Sequence, residues 1–195
     1  DISCLPSPAG KFPSITGAAR EAGGADGADI IIHSGQWNQV SGSTLQEAGP
    51  TRGTLRIAIH GGRFYGTVCA TGAGQHAGDA VLTLNDGYFY GGVAGVEGSE
   101  DASVRGTVSI TVNGGVYYNT IEASHHTKAS FTGTYKLAIN GGVFTSLVGL
   151  TGTRGLPGSA TSELIAIPAL LDAENKGTLT FTNPLIKGAD PWVFQ

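Results

Sequence analysis

Three tyrosines, Tyr65, Tyr90 and Tyr118, stand 25 and 28 residues apart, and each directly follows another aromatic residue, Phe64, Phe89 or Tyr117. A phenol joins an apolar ring to a hydroxyl that both donates and accepts. A surface row of phenols therefore suits sugars, whose C–H faces can lie on rings while hydroxyls meet polar tips. Tyr88, on the same turn as Tyr90, extends such a strip, and Asn38, Arg63, Asn119, Thr120 and Glu122 are near enough in sequence to supply hydrogen bonds. Tyrosines also favour strands and cross-strand aromatic pairs for packing reasons alone. The spacing is compatible with both roles.

Other reactive groups give weaker patterns. His125 and His126 share a loop with Glu122 and Ser124, but adjacent histidines on a strand point apart and no third strong ligand is close in sequence. A solvated loop is the better account of them. Glu97, Glu100 and Asp101 form an acidic loop in which Ca²⁺ could find carboxylates and carbonyls. A solvated charged loop is the better account of it, and no other cofactor is expected. Asp86 takes a turn position held by Gly or Ser elsewhere, which Asp tolerates. The acidic residues are scattered, with no Asp-Asp pair, whereas glycosidases need two positioned carboxyl groups. The expectation is a protein that is not an enzyme. Cys4 and Cys69 allow one bridge at most, and Cys69 reads as a small buried hydrophobe.

The elements that position these side chains come from an internal repeat. Five glycines, Gly35, Gly62, Gly87, Gly115 and Gly142, are separated by 27, 25, 28 and 27 residues. Three residues before each stand Ile32, Ile59, Leu84, Val112 and Ile139, and five before stand Ile30, Ile57, Leu82, Ile110 and Leu137. Between and after them come Ile31, Ala58, Thr83, Thr111 and Ala138, then His33, His60, Asn85, Asn113 and Asn140. This period of two marks one half-buried strand per copy. The glycine then supplies a sharp turn, and two residues on comes Trp37, Phe64, Phe89, Tyr117 or Phe144. A second short strand carries Val68, Val93, Ile121 and Val148, and a variable loop closes the copy.

Stacked in register, such copies place like residues above one another about 4.8 Å apart. The fold expected is all-β: a right-handed parallel β-helix of about five to six coils, its His/Asn positions forming a hydrogen-bonded ladder. The aromatic two residues after each glycine should be buried. By alternation the next position, Asn38, Tyr65, Tyr90, Tyr118 or Thr145, should face solvent. Residues 14–24 could form a short helical or irregular N-terminal cap, residues 152–176 a loop or cap over the last coil, and 177–183 a further strand. The organisation expected is an N-terminal segment and cap over 1–24, the β-helix over 25–182, and a linker or the start of a following domain over 183–195.

Composition narrows the partners. The 32 glycines in 195 residues are more than twice the usual ~7%, as repeated tight turns require. A net charge of −4 disfavours nucleic acid, and no apolar run approaches the ~20 residues of a membrane span. Asp1 to Pro8 has neither a basic region nor an apolar stretch, so a secretion signal would have been removed or lie outside this sequence.

The last segment, Phe181-Thr-Asn-Pro-Leu-Ile-Lys-Gly-Ala-Asp-Pro-Trp-Val-Phe-Gln195, resembles the opening of the catalytic domain of glycoside hydrolase family 43, N-P-[IL]-x-x-G-x-D-P-x-[VI]. In that family the phrase begins a five-bladed propeller and its Asp is the general base, which maps to Asp190. No carboxylate follows Asp190 in the sequence, so the resemblance implies an accessory module joined to a glycoside hydrolase, with Asp190 inert here. The coils likewise look like the small β-helical modules appended to plant-polysaccharide hydrolases, including xylan-binding ones. That implies a xylan or arabinoxylan ligand and a secreted, extracellular or periplasmic location. A small β-helical polysaccharide lyase or hydrolase and a structural or adhesive solenoid are the alternatives.

Overall fold

Alternating apolar residues make the widest of four parallel sheets. In the computed structural model, which describes residues 12–17, 26–43, 51–97, 103–124, 130–131, 133–145 and 161–165, the repeat's long strands are Ala28–Ile32, Leu55–Ile59, Ala80–Leu84, Thr107–Val112 and Thr134–Ile139. Each pairs in parallel with the next copy, in the register the glycine alignment predicts: Ile30 lies opposite Ile57, Ile57 opposite Leu82, Leu82 opposite Ile110 and Ile110 opposite Leu137. The inward residues of the middle copies, such as Leu55, Ile57, Ile59, Leu82, Leu84 and Ile110, are fully buried. Each such side chain stabilises the fold by about 1.5–3 kcal/mol relative to exposure.

At the end of each long strand the backbone turns through glycine. Gly62 has φ +121°, a conformation that side-chain-bearing residues rarely adopt, and the other four turn glycines also have positive φ. The chain then enters a two-residue strand, Gln36–Trp37, Arg63–Phe64, Tyr88–Phe89, Val116–Tyr117 or Val143–Phe144, and these stack into the turn sheet. The second residue of each points inward. Phe64, Phe89, Tyr117 and Phe144 form a continuous buried stack with ring centroids 4.9, 4.7 and 4.9 Å apart. Trp and Tyr are tolerated in this column because both polar tips find the same backbone site: Trp37 Nε1 donates to the Ser34 carbonyl, and the Tyr117 hydroxyl donates to the Gly114 carbonyl three residues before it.

A third sheet follows, of Gln39–Ser41, Val68–Cys69, Val93–Val96 and Ile121–Ser124, and Ser14–Thr16 is added at its N-terminal edge. The expected helical or irregular cap is thus a strand in its first three residues, which satisfies an edge that would otherwise stay open. A fourth sheet, of Gln75–His76, Ser103–Val104 and Ser130–Phe131, lies in what the sequence presents as a variable loop. The chain is therefore an all-β parallel solenoid, with no helix among the described residues. It makes about four turns, a small difference from the five to six expected. Thr161–Ile165 pairs in parallel with Thr134–Ile139 as a sixth long strand, within the segment expected to be a loop or cap. Val148 and residues 177–195, with the segment resembling a glycosidase, lie outside the described residues.

The expected ladder runs along the outside of the turn. Asn140 donates to Asn113 at 2.8 Å, Asn113 donates to Asn85 at 2.8 Å, and Asn85 meets His60 Nδ1 at 3.2 Å. His60 in turn stacks on His33.

Inside the fourth sheet His76 is buried, with Nε2 3.2 Å from the Asp79 carbonyl. Burial lowers its pKa below the ordinary 6.5, although the carbonyls of Asp79 and Thr51 pull the other way. Because the folded value is the lower one, the unfolded chain takes up the proton first. The neutral ring's contribution is complete above about pH 6.5 and shrinks as pH falls below it. The melting temperature should therefore drop between pH 7.5 and 5, and His76→Gln should flatten that drop when thermal unfolding is followed by circular dichroism. Equal slopes in parent and variant would exclude His76 as the titrating group.

Candidate functional site

The turn sheet has two outward columns. One is Gln36, Arg63, Tyr88, Val116 and Val143, aligned by the strand register. The other follows the inward aromatics and holds Asn38, Tyr65, Tyr90, Tyr118 and Thr145, all exposed. Tyr65, Tyr90, Tyr118 and Tyr88 have relative exposures of 38, 39, 45 and 44%. Six of the expected binding residues, Asn38, Tyr65, Tyr90, Tyr118, Tyr88 and Arg63, therefore share one face of the solenoid.

The tyrosine column is arranged differently from an open platform. Tyr65 and Tyr90 stack at 5.1 Å and 8°, and Tyr90 and Tyr118 at 4.9 Å and 3°. Phe12, which no repeat anticipates, stacks on the other side of Tyr65 at 4.3 Å. It sits at the level where the first copy carries only Asn38. The inner rings thus face one another, and the column offers solvent mainly ring edges and hydroxyls. One hydroxyl is engaged: Tyr65 donates to Gln36 Oε1 at 3.2 Å.

Beside this column the glycines of the turn open a shallow depression of about 340 Å³, lined by Gly35, Gln36, Gly62, Arg63 and Tyr88. Its floor stays bare for a backbone reason. A Cβ on Gly62 would sit 3.0 Å from the Gly35 carbonyl oxygen, in addition to the strain of its positive φ. The Arg63 guanidinium lies 5.8 Å from the centre of the Tyr88 ring, within cation–π range. The carbonyls of Gly35 and Gly62 already accept from the amides of Arg63 and Tyr88. The depression therefore presents an aromatic ring and side-chain donors.

Two expected contributors fall elsewhere. Glu122 is not beside the tyrosines: it is 3% exposed in the third sheet, aligned with Ser41, Cys69 and Ala94. The chain rounds a corner at Asn119–Thr120, so closeness in sequence to Tyr118 does not carry over to the same face. Asn119 is exposed at that corner, and its Oδ1 accepts from the Thr120 amide, which gives it a structural task. Glu97 turns back over the third sheet, where the Gln39 amide donates to its carboxylate at 2.6 Å and the Cys69 thiol lies 3.5 Å away. Burial, and then Glu97, push the Cys69 thiol pKa well up, leaving an unreactive thiol. Among the described residues no cluster of three or more His, Cys, Asp or Glu could hold a metal ion. His125, His126, Glu100, Asp101, Cys4 and Asp190 lie outside the described residues.

Compared with protein-family models, curated proteins and solved structures, the chain matches none of them.

Proposed function

We propose that this solenoid is a non-catalytic carbohydrate-binding module that takes a plant cell-wall polysaccharide, xylan or arabinoxylan, along the outer face of its turn sheet. In the full-length protein it would serve a secreted glycoside hydrolase. The observation that carries this reading is the concentration on one face of four exposed tyrosines and a donor-lined depression. An extended polymer can follow the solenoid axis there, meeting one tyrosine hydroxyl per coil from the column and the ring of Tyr88 in the depression. Because the column's inner ring faces are already occupied, Tyr88 rather than the Tyr65, Tyr90 and Tyr118 strip is the centre of ring-to-sugar contact.

The test is affinity electrophoresis and titration calorimetry against xylan, arabinoxylan, glucan, mannan and pectin. Tyr88→Ala should weaken binding at least about tenfold, equivalent to ~1.4 kcal/mol, with smaller losses in Tyr65→Ala, Tyr90→Ala and Tyr118→Ala. Undiminished binding in all four variants would sink the proposed face. Release of reducing ends or unsaturated products by the parent would overturn the non-catalytic assignment.

The stack of Phe12, Tyr65, Tyr90 and Tyr118 favours one second reading, a structural or adhesive solenoid whose outer tyrosines mainly bind coil to coil. That reading requires no binding to any polymer of the panel, and a lower melting temperature in Tyr90→Ala.

A further inference from the structure

We propose that the depression at Arg63 and Tyr88 recognises a carboxylate, so that the ligand is an acidic polysaccharide carrying uronate groups. The inference rests on the polysaccharide-binding reading above and adds the chemistry of the ligand.

The depression is biased toward donors. Its floor carbonyls, Gly35 and Gly62, are used by the backbone ladder. The Oε1 of Gln36 is used by the Tyr65 hydroxyl, which leaves the amide NH₂ of Gln36 as its free end. Arg63 is exposed, and among the described residues no carboxylate lies within ion-pairing distance of it. Arginine brings up to five N–H donors and no acceptor. Asp86 is the nearby acid in sequence, and its Oδ1 accepts from the Gly87 amide of its own turn.

A neutral sugar hydroxyl both donates and accepts, so a site rich in donors uses only its accepting side. A carboxylate only accepts, and it matches the two-pronged geometry of a guanidinium. The sugar ring that bears it can then lie against the exposed ring of Tyr88, while the Gln36 amide reaches a ring or hydroxyl oxygen. The chain's net charge of −4 would repel a polyanion, so the attraction has to come from this local fork rather than from a general basic surface.

The test pairs polymers that differ only at the carboxyl. Native glucuronoxylan and polygalacturonan are compared with the same polymers after reduction of their carboxyl groups to hydroxymethyl groups. The parent, Arg63→Gln and Arg63→Lys are titrated by calorimetry, with circular dichroism confirming the fold of each. The parent should prefer at least one native polymer over its reduced form by roughly tenfold or more, as a charge-assisted bidentate contact requires. Arg63→Gln should erase that preference, and Arg63→Lys should retain only part of it. Equal binding of native and reduced polymers by the parent would overturn the carboxylate contact while leaving polysaccharide binding intact. A preference that survives in Arg63→Gln would overturn it as well, by placing the contact elsewhere. Binding of no polymer, acidic or neutral, would bring down the underlying function together with this inference.

Discussion

Phe89→Ala is expected to destabilise the protein by about 3–5 kcal/mol, the range for removing a buried phenylalanine. Phe89 is 1% exposed and has a ring on either side, Phe64 at 4.9 Å and Tyr117 at 4.7 Å. The substitution therefore leaves a gap between two neighbours that cannot close it, because each is held to its own coil by the backbone ladder. In a solenoid, stability is close to a sum of coil and interface terms. A central truncation weakens two interfaces, while the same change at Phe144 affects one with a described neighbour. Denaturant unfolding should show a larger loss for Phe89→Ala than for Phe144→Ala. Equal and small losses would mean that the buried stack contributes little to stability.

Gly106→Val is expected to abolish folding at ordinary temperature, although Gly106 has no positive φ. The reason is close approach: a Cβ there would sit 1.9 Å from the Gly78 carbonyl oxygen and 2.5 Å from its carbon. Both are backbone atoms of the coil beneath, so relief would require separating the coils. Gly53, Gly78 and Gly133 occupy the equivalent corner, each with a carbonyl oxygen within 2.3 Å of where its Cβ would be. Gly61→Ser provides a milder contrast: its Cβ would meet one backbone atom, the His33 carbonyl oxygen, at 2.9 Å, and Asp86 already holds the matching place one coil later. Its cost should stay near 1 kcal/mol, within the ordinary range for a point change. Soluble yield and the far-ultraviolet circular dichroism spectrum read the first variant, and thermal melts the second. A folded Gly106→Val protein would show that the corners can spread apart.

The long strands and turns were legible because five or six alternating residues carry a period and the turn demands a left-handed residue. Two-residue strands such as Ser103–Val104 carry no period, so the fourth sheet reads as loop. The corner glycines at 53, 78, 106 and 133 each stand nine residues before a turn glycine. That regularity was available to an alignment anchored on the turn, but Asp26 in the first copy and the adjoining variable loops obscure it. Thr161–Ile165 went unrecognised because no glycine-plus-aromatic turn follows it. Of the site, alternation indicates which way Tyr65, Tyr90 and Tyr118 point, but not how their ring planes are set. It also fails at corners, as Glu122 shows: outward is a different direction in each sheet. The depression depends on absent side chains at Gly35 and Gly62 next to Arg63 and Tyr88, an arrangement that appears only once adjacent coils are superposed.

The registered columns have a consequence for how such a protein can change over time. Since each position lies directly over its counterpart one coil away, gain or loss of a whole copy leaves every column continuous and alters only its length. The outer face would grow or shrink by one fixed increment, with the chemistry of each increment set by the two residues flanking the buried aromatic. The chain is built like a graduated scale, whose divisions can be relabelled singly without redrawing the rule.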